Sequence, residues 1–213
     1  MRKKNVQRAV APVLHIFCEG SATEPNYLER YKDLFCKNKA AIQVERNDKT
    51  TPIQLVEIAA QMKNSSQAQP DDEFWVVYDR ESPVHTPEST HQRARELAQE
   101  NGVRIALSNV CFEVWLLMHF QATCAACNTC EELTSRDDFK KWFPGYEKGA
   151  GCILAREQIE KARKNAKRMN DRTIKGADRS WTVPSKWNPY TNVYELLDAI
   201  DQFHCRERNR RMF

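Results

Sequence analysis

Apolar and polar positions follow two rhythms along the first 120 or so residues. Short continuous apolar runs at 13–18 (VLHIFC) and 74–78 (FWVVY) read as buried strands, the second rich in aromatic and β-branched residues. Residues 41–46 (AIQVER) alternate like a strand, and 103–107 (VRIAL) make a fourth. Between these runs the spacing turns helical. Tyr27, Leu28, Tyr31, Leu34 and Phe35 form one stripe, with Thr23 as the expected cap and Pro25 in the first turn. A second helix begins at Pro52 after Thr51, and a third covers about 90–101, closed by Asn101-Gly102. A largely apolar fourth starts near Cys111, with Asn109 as its expected cap. Strand and helix alternate four times, so the expectation is an α/β fold with a central parallel four-stranded sheet flanked by helices.

After residue 121 the rhythm changes. CAACNTC (124–130) reads as a cysteine-rich turn, 137–143 as a short helix, and 153–172 as a long basic helix with Ile159, Ala162, Ala166 and Met169 on one face. An aromatic, proline-bearing loop from Trp181 to Tyr190 precedes a closing helix over 191–207. The expected division is an α/β core over 1–121 and a mostly helical, basic lobe over 122–213 packed on it.

Composition changes this picture little. With 41% hydrophobic and 29% charged residues, the chain looks like an ordinary globular protein, and a formal charge of +4 does not by itself announce a nucleic-acid binder. No apolar run approaches the ~20 residues of a membrane span, and the basic start followed by VLHIFC lacks a cleavage pattern and reads as a strand. Eight cysteines without an obvious disulfide framework point to a reduced, cytoplasmic setting.

Candidate chemistry gathers where parallel sheets put it, beyond the carboxyl ends of the strands. Glu19 follows the first strand, Asp79 and Glu81 the third, and Glu113 the fourth. Asp79 and Glu81 are two residues apart, so in extended backbone both side chains leave the same face and can reach one ion. Hard divalent cations need only one or two such carboxylates plus water and substrate phosphate. Acids after strands are also common simply because loops are solvated.

Four blocks carry a resemblance: FCEGSATEPNYLERY (17–31), VVYDRES (76–82), IALSNVCFEVWLLMHF (105–120) and NPYTNVYELL (188–197). Together they resemble the RloB-like family of restriction-linked and phage-defence proteins, and the first two also resemble the Toprim pattern of OLD-type nucleases, topoisomerases and primases. The resemblance implies a Toprim-like core and a nuclease dependent on Mg²⁺ or Mn²⁺. It implies an effector of an antiviral, abortive-infection system working beside an ABC-type ATPase, since this chain has no G-x-x-x-x-G-K-[ST] of its own. Glu19 then matches the Toprim glutamate, a general acid or base and possible ligand, and Asp79 the first aspartate of D-x-D. Glu81 stands where that pattern has a second aspartate, and Glu113 is a further metal ligand.

Other features carry two readings each. Glu24 suits metal or substrate, or simply the first turn of a helix. Cys124, Cys127 and Cys130, with Cys152, His119 or Cys111 as a fourth ligand, could hold a structural zinc, or form an incidental polar loop. The zinc set expected from this spacing is Cys124, Cys127, Cys130 and Cys152. Arg80, Arg163, Lys164, Lys167, Arg168 and Arg172 are candidate contacts to a nucleic-acid backbone, although the long helix also carries the i,i+4 pairs of a solvated face. Trp181, Trp187 and Tyr190 could stack on bases or lie buried. His119 is read as a buried, hydrogen-bonded histidine.

Overall fold

The computed structural model describes residues 11–46, 51–149 and 155–210. Its elements run β1 (Leu14–Cys18), α1 (Thr23–Phe35), β2 (Ile42–Arg46), α2 (Pro52–Lys63), β3 (Glu73–Asp79), α3 (Glu88–Asn101), β4 (Arg104–Asn109) and α4 (Glu113–Met118). Then follow α5 (Cys130–Ser135), α6 (Asp137–Trp142), α7 (Arg156–Gly176), β5 (Tyr190–Thr191) and α8 (Val193–Arg210).

The sheet order is β2-β1-β3-β4-β5. β1 pairs in parallel with β2 and β3, and β3 with β4. The expected four parallel strands are present, but the sheet is mixed: β5 adds a fifth strand, antiparallel to β4. The correction has a local cause. β5 is two residues long and is held by side chains that imitate a strand. Asn192 accepts the Leu107 amide at 2.7 Å and donates to the Ile105 carbonyl at 3.1 Å. On its other side, Asn170 of α7 makes a pair of bonds to Thr191, donating at 2.8 Å and accepting at 3.1 Å. Side-chain amides thus cap the sheet edge, where unpaired backbone groups would otherwise be exposed.

The pleat sorts the strand residues between two cores. Leu14, Ile16, Cys18, Trp75 and Val77 face the layer built with α1, α4, α7 and α8. Phe17, Phe74, Val76 and Tyr78 face α2 and α3. Residues 122–210 contribute to the first of these cores through Leu133, Phe139, Ile159, Leu196 and Ile200, all nearly inaccessible.

Helix boundaries follow backbone chemistry. Thr51 caps α2 by accepting from the Gln54 amide at 3.3 Å, with Pro52 in the first position. Gly102 ends α3 at φ 61°, a left-handed conformation that glycine adopts without a Cβ penalty. Two expected caps fall elsewhere. The α1 cap position is Ala22, and the Thr23 hydroxyl accepts from the Gly149 amide at 3.1 Å. Asn109 caps no helix; its amide donates to the carbonyls of Ser185 (3.2 Å) and Trp187 (2.8 Å), tying β4 to the loop before β5. Among the described residues, no helix is long and apolar enough to cross a membrane.

Candidate metal centre

The chain leaves β1 outward to β2, then returns past it to β3, so the sheet order reverses between β1 and β3. At such a switch point the connections leave in opposite directions and open a crevice beyond the strand ends. Glu19 follows β1 and Asp79 ends β3, directly across it. They meet there: Glu19 Oε2 accepts the Asp79 amide at 3.1 Å, while the Glu19 amide donates to the Val77 carbonyl at 2.9 Å.

A cleft of about 310 Å³ occupies this crevice, lined by Glu19, Glu24, Asp79, Glu81, Glu113 and Lys148 together with the 20–23 turn and Phe112. Four acids singled out by sequence therefore converge, and Glu24 joins them. Glu113 opens α4, is 2% exposed, and accepts from the Tyr146 hydroxyl at 2.8 Å. Glu81 sits at φ 54°, sparsely populated for a residue with a Cβ. The ladder continues on both sides of Asp79's neighbour, since the Arg80 amide donates to Ser108 (2.8 Å) and that of Glu81 to Val110 (2.9 Å). Strain of this kind concentrates where side-chain aim matters. Gly20 has a packing reason: a Cβ there would fall on the Glu24 carboxylate, within 2.9 Å of its carbon.

Among the described residues no ion pair involves any of the five carboxylates, and the one lining cation, Lys148, is exposed. Asp79 Oδ1 is shut off from solvent with no hydrogen-bond partner. Burial, and then the charges of Glu24, Glu113, Glu19 and Glu81, pushes the Asp79 carboxyl well above the usual range. Burial pushes Glu19 up to about 8, against the stabilising bond from the Asp79 backbone. Burial also raises Glu24, with Glu113 adding to the shift and Lys148 opposing it. An orphaned carboxylate oxygen among uncompensated acids suits a hard divalent cation, which takes oxygen donors. Glu19, Asp79, Glu81 and Glu113 are the residues that could hold one.

The convergence has a limit. Among the described residues, the one set of three ligand atoms lying within 4.8 Å of one another is Cys111, Glu113 and Cys130. Cys111 and Cys130 are paired as a disulfide with Cα atoms 5.7 Å apart, so the expectation of wholly reduced cysteines does not describe this pair. Of the expected zinc ligands, Cys130 is taken by that pairing. Cys124 and Cys127 are not in the ligand group; burial raises their thiols to about 12 and about 11, and Cys124 Sγ lies 3.3 Å from the Ala125 carbonyl. Cys152 lies outside the described residues.

The basic candidates divide. Arg80 points away from the acids, because the alternation that sends Asp79 to one face sends Arg80 to the other. It is 6% exposed, donates to the carbonyls of Ser185 and Thr86 at 2.9 Å each, and pairs with Glu88 at 3.5 Å. Arg163 is consumed internally, pairing with Glu160 (2.8 Å), Asp198 (3.2 Å) and Asp201 (2.8 Å) and donating to the Tyr31 hydroxyl at 2.9 Å. Lys167 pairs with Asp198 at 3.8 Å. Lys164, Arg168 and Arg172 are exposed on α7.

A second cleft of about 450 Å³ adjoins the first through Glu81, with Lys186, Asn128 and Trp181 along it. Trp181 is 44% exposed, whereas Tyr190 is buried and Trp187 half-buried. His119 is 1% exposed and held neutral, its Nδ1 against the Trp115 and Leu116 carbonyls and its Nε2 3.1 Å from the Tyr27 hydroxyl.

Tyr146 and Lys148 escaped the sequence reading. They arrive from the loop between α6 and α7, and their only signal was an aromatic and a lysine two residues apart in a polar stretch. No curated protein and no solved structure matches the chain. A family profile described as RloB-like protein matches residues 14–200, from the first residue of β1 well into α8 and across every acid of the cleft. By that match the chain belongs to the RloB-like family.

Proposed function

We propose that this chain is a divalent-cation-dependent phosphodiesterase that hydrolyses nucleic acid, with the acidic cleft as its centre. The observation that carries the reading is Asp79 Oδ1, buried without a hydrogen-bond partner among acids that form no ion pair among the described residues. Mg²⁺ or Mn²⁺ bound there would neutralise phosphate oxygens and lower the pKa of an attacking water. Asp79 would supply one ligand, and Glu81 and Glu113, which line the same cleft, would supply others. Glu19, fixed by its bond to the Asp79 amide, orients Asp79 and presents its other oxygen as ligand or proton carrier. The adjoining cleft offers a path for a strand, with Lys186 for phosphate and Trp181 for stacking. Exposed Lys164, Arg168 and Arg172 add a weaker, longer-range attraction.

The positions of Glu19 after β1 and of Asp79 and Glu81 after β3 support a Toprim-like core, while the antiparallel β5 is an addition to it. A role in antiviral defence beside an ABC-type ATPase rests on the family resemblance, and a cytoplasmic setting on the cysteine usage. A non-catalytic subunit that docks nucleic acid or the ATPase is the second reading. It is favoured by the absence, among the described residues, of three carboxylate oxygens already within 4.8 Å of one another.

One experiment separates the two. Purified protein is incubated with tRNA, other RNA and DNA, with Mg²⁺, Mn²⁺ or EDTA. Cation-dependent cleavage lost in both Glu19→Ala and Asp79→Ala supports the enzyme. Cleavage that survives both changes, or none with any substrate and cation, overturns it.

A further inference from the structure

Glu113 has two carboxylate oxygens and two quite different neighbours. Oε1 accepts from the Tyr146 hydroxyl at 2.8 Å. Oε2 lies 3.2 Å from Cys130 Sγ. While Cys130 is bonded to Cys111, that sulfur has no proton to donate, so an oxygen on a side chain only 2% exposed faces sulfur lone pairs. A buried acceptor left this way carries an uncompensated desolvation cost. The arrangement is satisfied in the dithiol form, either by a thiol proton or by a cation.

We propose that in the dithiol form Cys111, Cys130 and Glu113 bind a thiophilic divalent cation, with Zn²⁺ as its representative, at a second site sharing Glu113 with the acidic cleft. The three ligand atoms already lie within 4.8 Å of one another. Zinc–sulfur bonds of about 2.3 Å and zinc–oxygen bonds of about 2.0 Å at tetrahedral angles place ligand atoms roughly 3.5–3.8 Å apart, so small side-chain rotations close the site. Tyr146 supplies the outer hydrogen bond that orients a ligating carboxylate. Glu113 lines the cleft, which gives the ion an entry path and water for the fourth position. Two thiolates select against Mg²⁺ and for a softer ion.

The chemistry balances. The disulfide and two molecules of a low-molecular-weight thiol give two cysteine thiols and one external disulfide. Binding of Zn²⁺ then expels both thiol protons and leaves two thiolates and one carboxylate as ligands. Oxidation and zinc binding therefore exclude each other. If the phosphodiesterase reading holds, zinc draws Glu113 away from the catalytic ion and inhibits cleavage; the binding itself does not depend on that reading.

The test uses the full chain reduced with a phosphine. Zn²⁺ is titrated against a chromogenic chelator, and Co²⁺ is added to follow thiolate-to-metal absorption in the near ultraviolet. Expected are one equivalent of tightly held zinc and a cobalt–thiolate band, both lost in Cys111→Ser and Cys130→Ser and absent after oxidation of the wild-type chain. Glu113→Gln should weaken binding at least tenfold, while Asp79→Asn and Cys127→Ser keep the band. Because serine variants can fail to fold, a measurement on the unaltered chain runs alongside: zinc should slow alkylation of Cys111 and Cys130 relative to the metal-free dithiol form, and leave Cys205 unprotected. The proposal is overturned by a reduced chain that binds no zinc, by a band that survives both serine changes, by a band lost in Cys127→Ser, or by unaltered alkylation of Cys111 and Cys130. Cleavage plays no part in these readouts, so failure of either proposal is distinguishable from failure of the other.

Discussion

Two clusters of ionisable groups, both built between the halves of the sequence, treat charge in opposite ways. Around Arg163, one guanidinium is surrounded by Glu160, Asp198, Asp201 and the Tyr31 hydroxyl, so every charge has a partner. In the cleft, five carboxylates crowd about 310 Å³ with no ion pair, and Asp79 Oδ1 has no hydrogen-bond partner, among the described residues. The first arrangement ties α7 to α8 and α1. The second costs stability in the empty protein, since like charges and burial both oppose ionisation there. Folding alone gives no reason to assemble it, so the difference singles out the cleft, and not the more basic surface, as the candidate site.

The sharpest way to break this comparison is Asp79→Asn. It removes an ionisable ligand oxygen while keeping the shape, so it separates catalysis from packing. Loss of a ligand that stabilises transition-state charge by several kcal/mol, at about 1.4 kcal/mol per tenfold, should lower cation-dependent cleavage on the order of 10³-fold. The same change should stabilise the metal-free chain by roughly 0.5–2 kcal/mol, the usual trade between stability and activity. Added Mg²⁺ or Mn²⁺ should raise the melting temperature of the wild-type chain but not of the variant. A variant that melts lower than wild type without metal would show that the acids are held by neighbours after all.

A third treatment of an ionisable group lies behind the cleft, where His119 and, on the other face, His91 are kept neutral. Burial pulls each down to about 4 from an ordinary 6.5. The unfolded chain takes up these protons first, so the stability each contributes is present above pH 6.5 and is lost as pH falls from there towards 4. Comparing wild type with His119→Gln cancels the carboxylates common to both. The wild-type advantage should shrink across that window, by an amount on the order of 2–3 kcal/mol. An advantage that is flat from pH 7 to 4 would mean that His119 is charged or solvated in the fold.

Arg163→Met probes the paired cluster. Leaving Asp201 without its cation, and Asp198 with only Lys167, should cost about 1–3 kcal/mol, less than a deeply buried pair because both aspartates are partly exposed. The turnover rate at saturating substrate should not change. A large fall in turnover with unchanged stability would make Arg163 a substrate contact.

How much of this was legible follows from where each signal lies. The four parallel strands could be read because an apolar run or a period of two is local, and Gly102 because a left-handed helix end demands it. Glu19, Asp79, Glu81 and Glu113 were found because strand ends can be located without knowing what packs on them. Alternation past Asp79 also sends Arg80 to the opposite face, so its exclusion from the acids was within reach, but its ties to Ser185 and Thr86 were not. Other features were not. β5 is too short for any periodicity and exists through Asn170 and Asn192 side chains. Arg163 reads as surplus charge until Asp198 and Asp201, 35 and 38 residues downstream, fold back onto it. Tyr146 reaches Glu113 across 33 residues of chain.

The smallest expected effect belongs to the exposed face of α7. With Arg163 engaged internally and exposed Lys167 paired with Asp198, Lys164, Arg168 and Arg172 form no ion pair among the described residues. If they act only as a diffuse field, replacing all three with alanine leaves the saturated rate untouched and weakens nucleic-acid binding uniformly across sequences. Each phosphate contact removed should flatten the slope of log affinity against log salt by about 0.7–0.9. A change in slope near zero would mean that the strand never reaches α7 and is held by Lys186 and Trp181 alone. A fall in the saturated rate would instead move this helix into the catalytic machinery, and the contrast between a functional cleft and a supporting basic surface would fail.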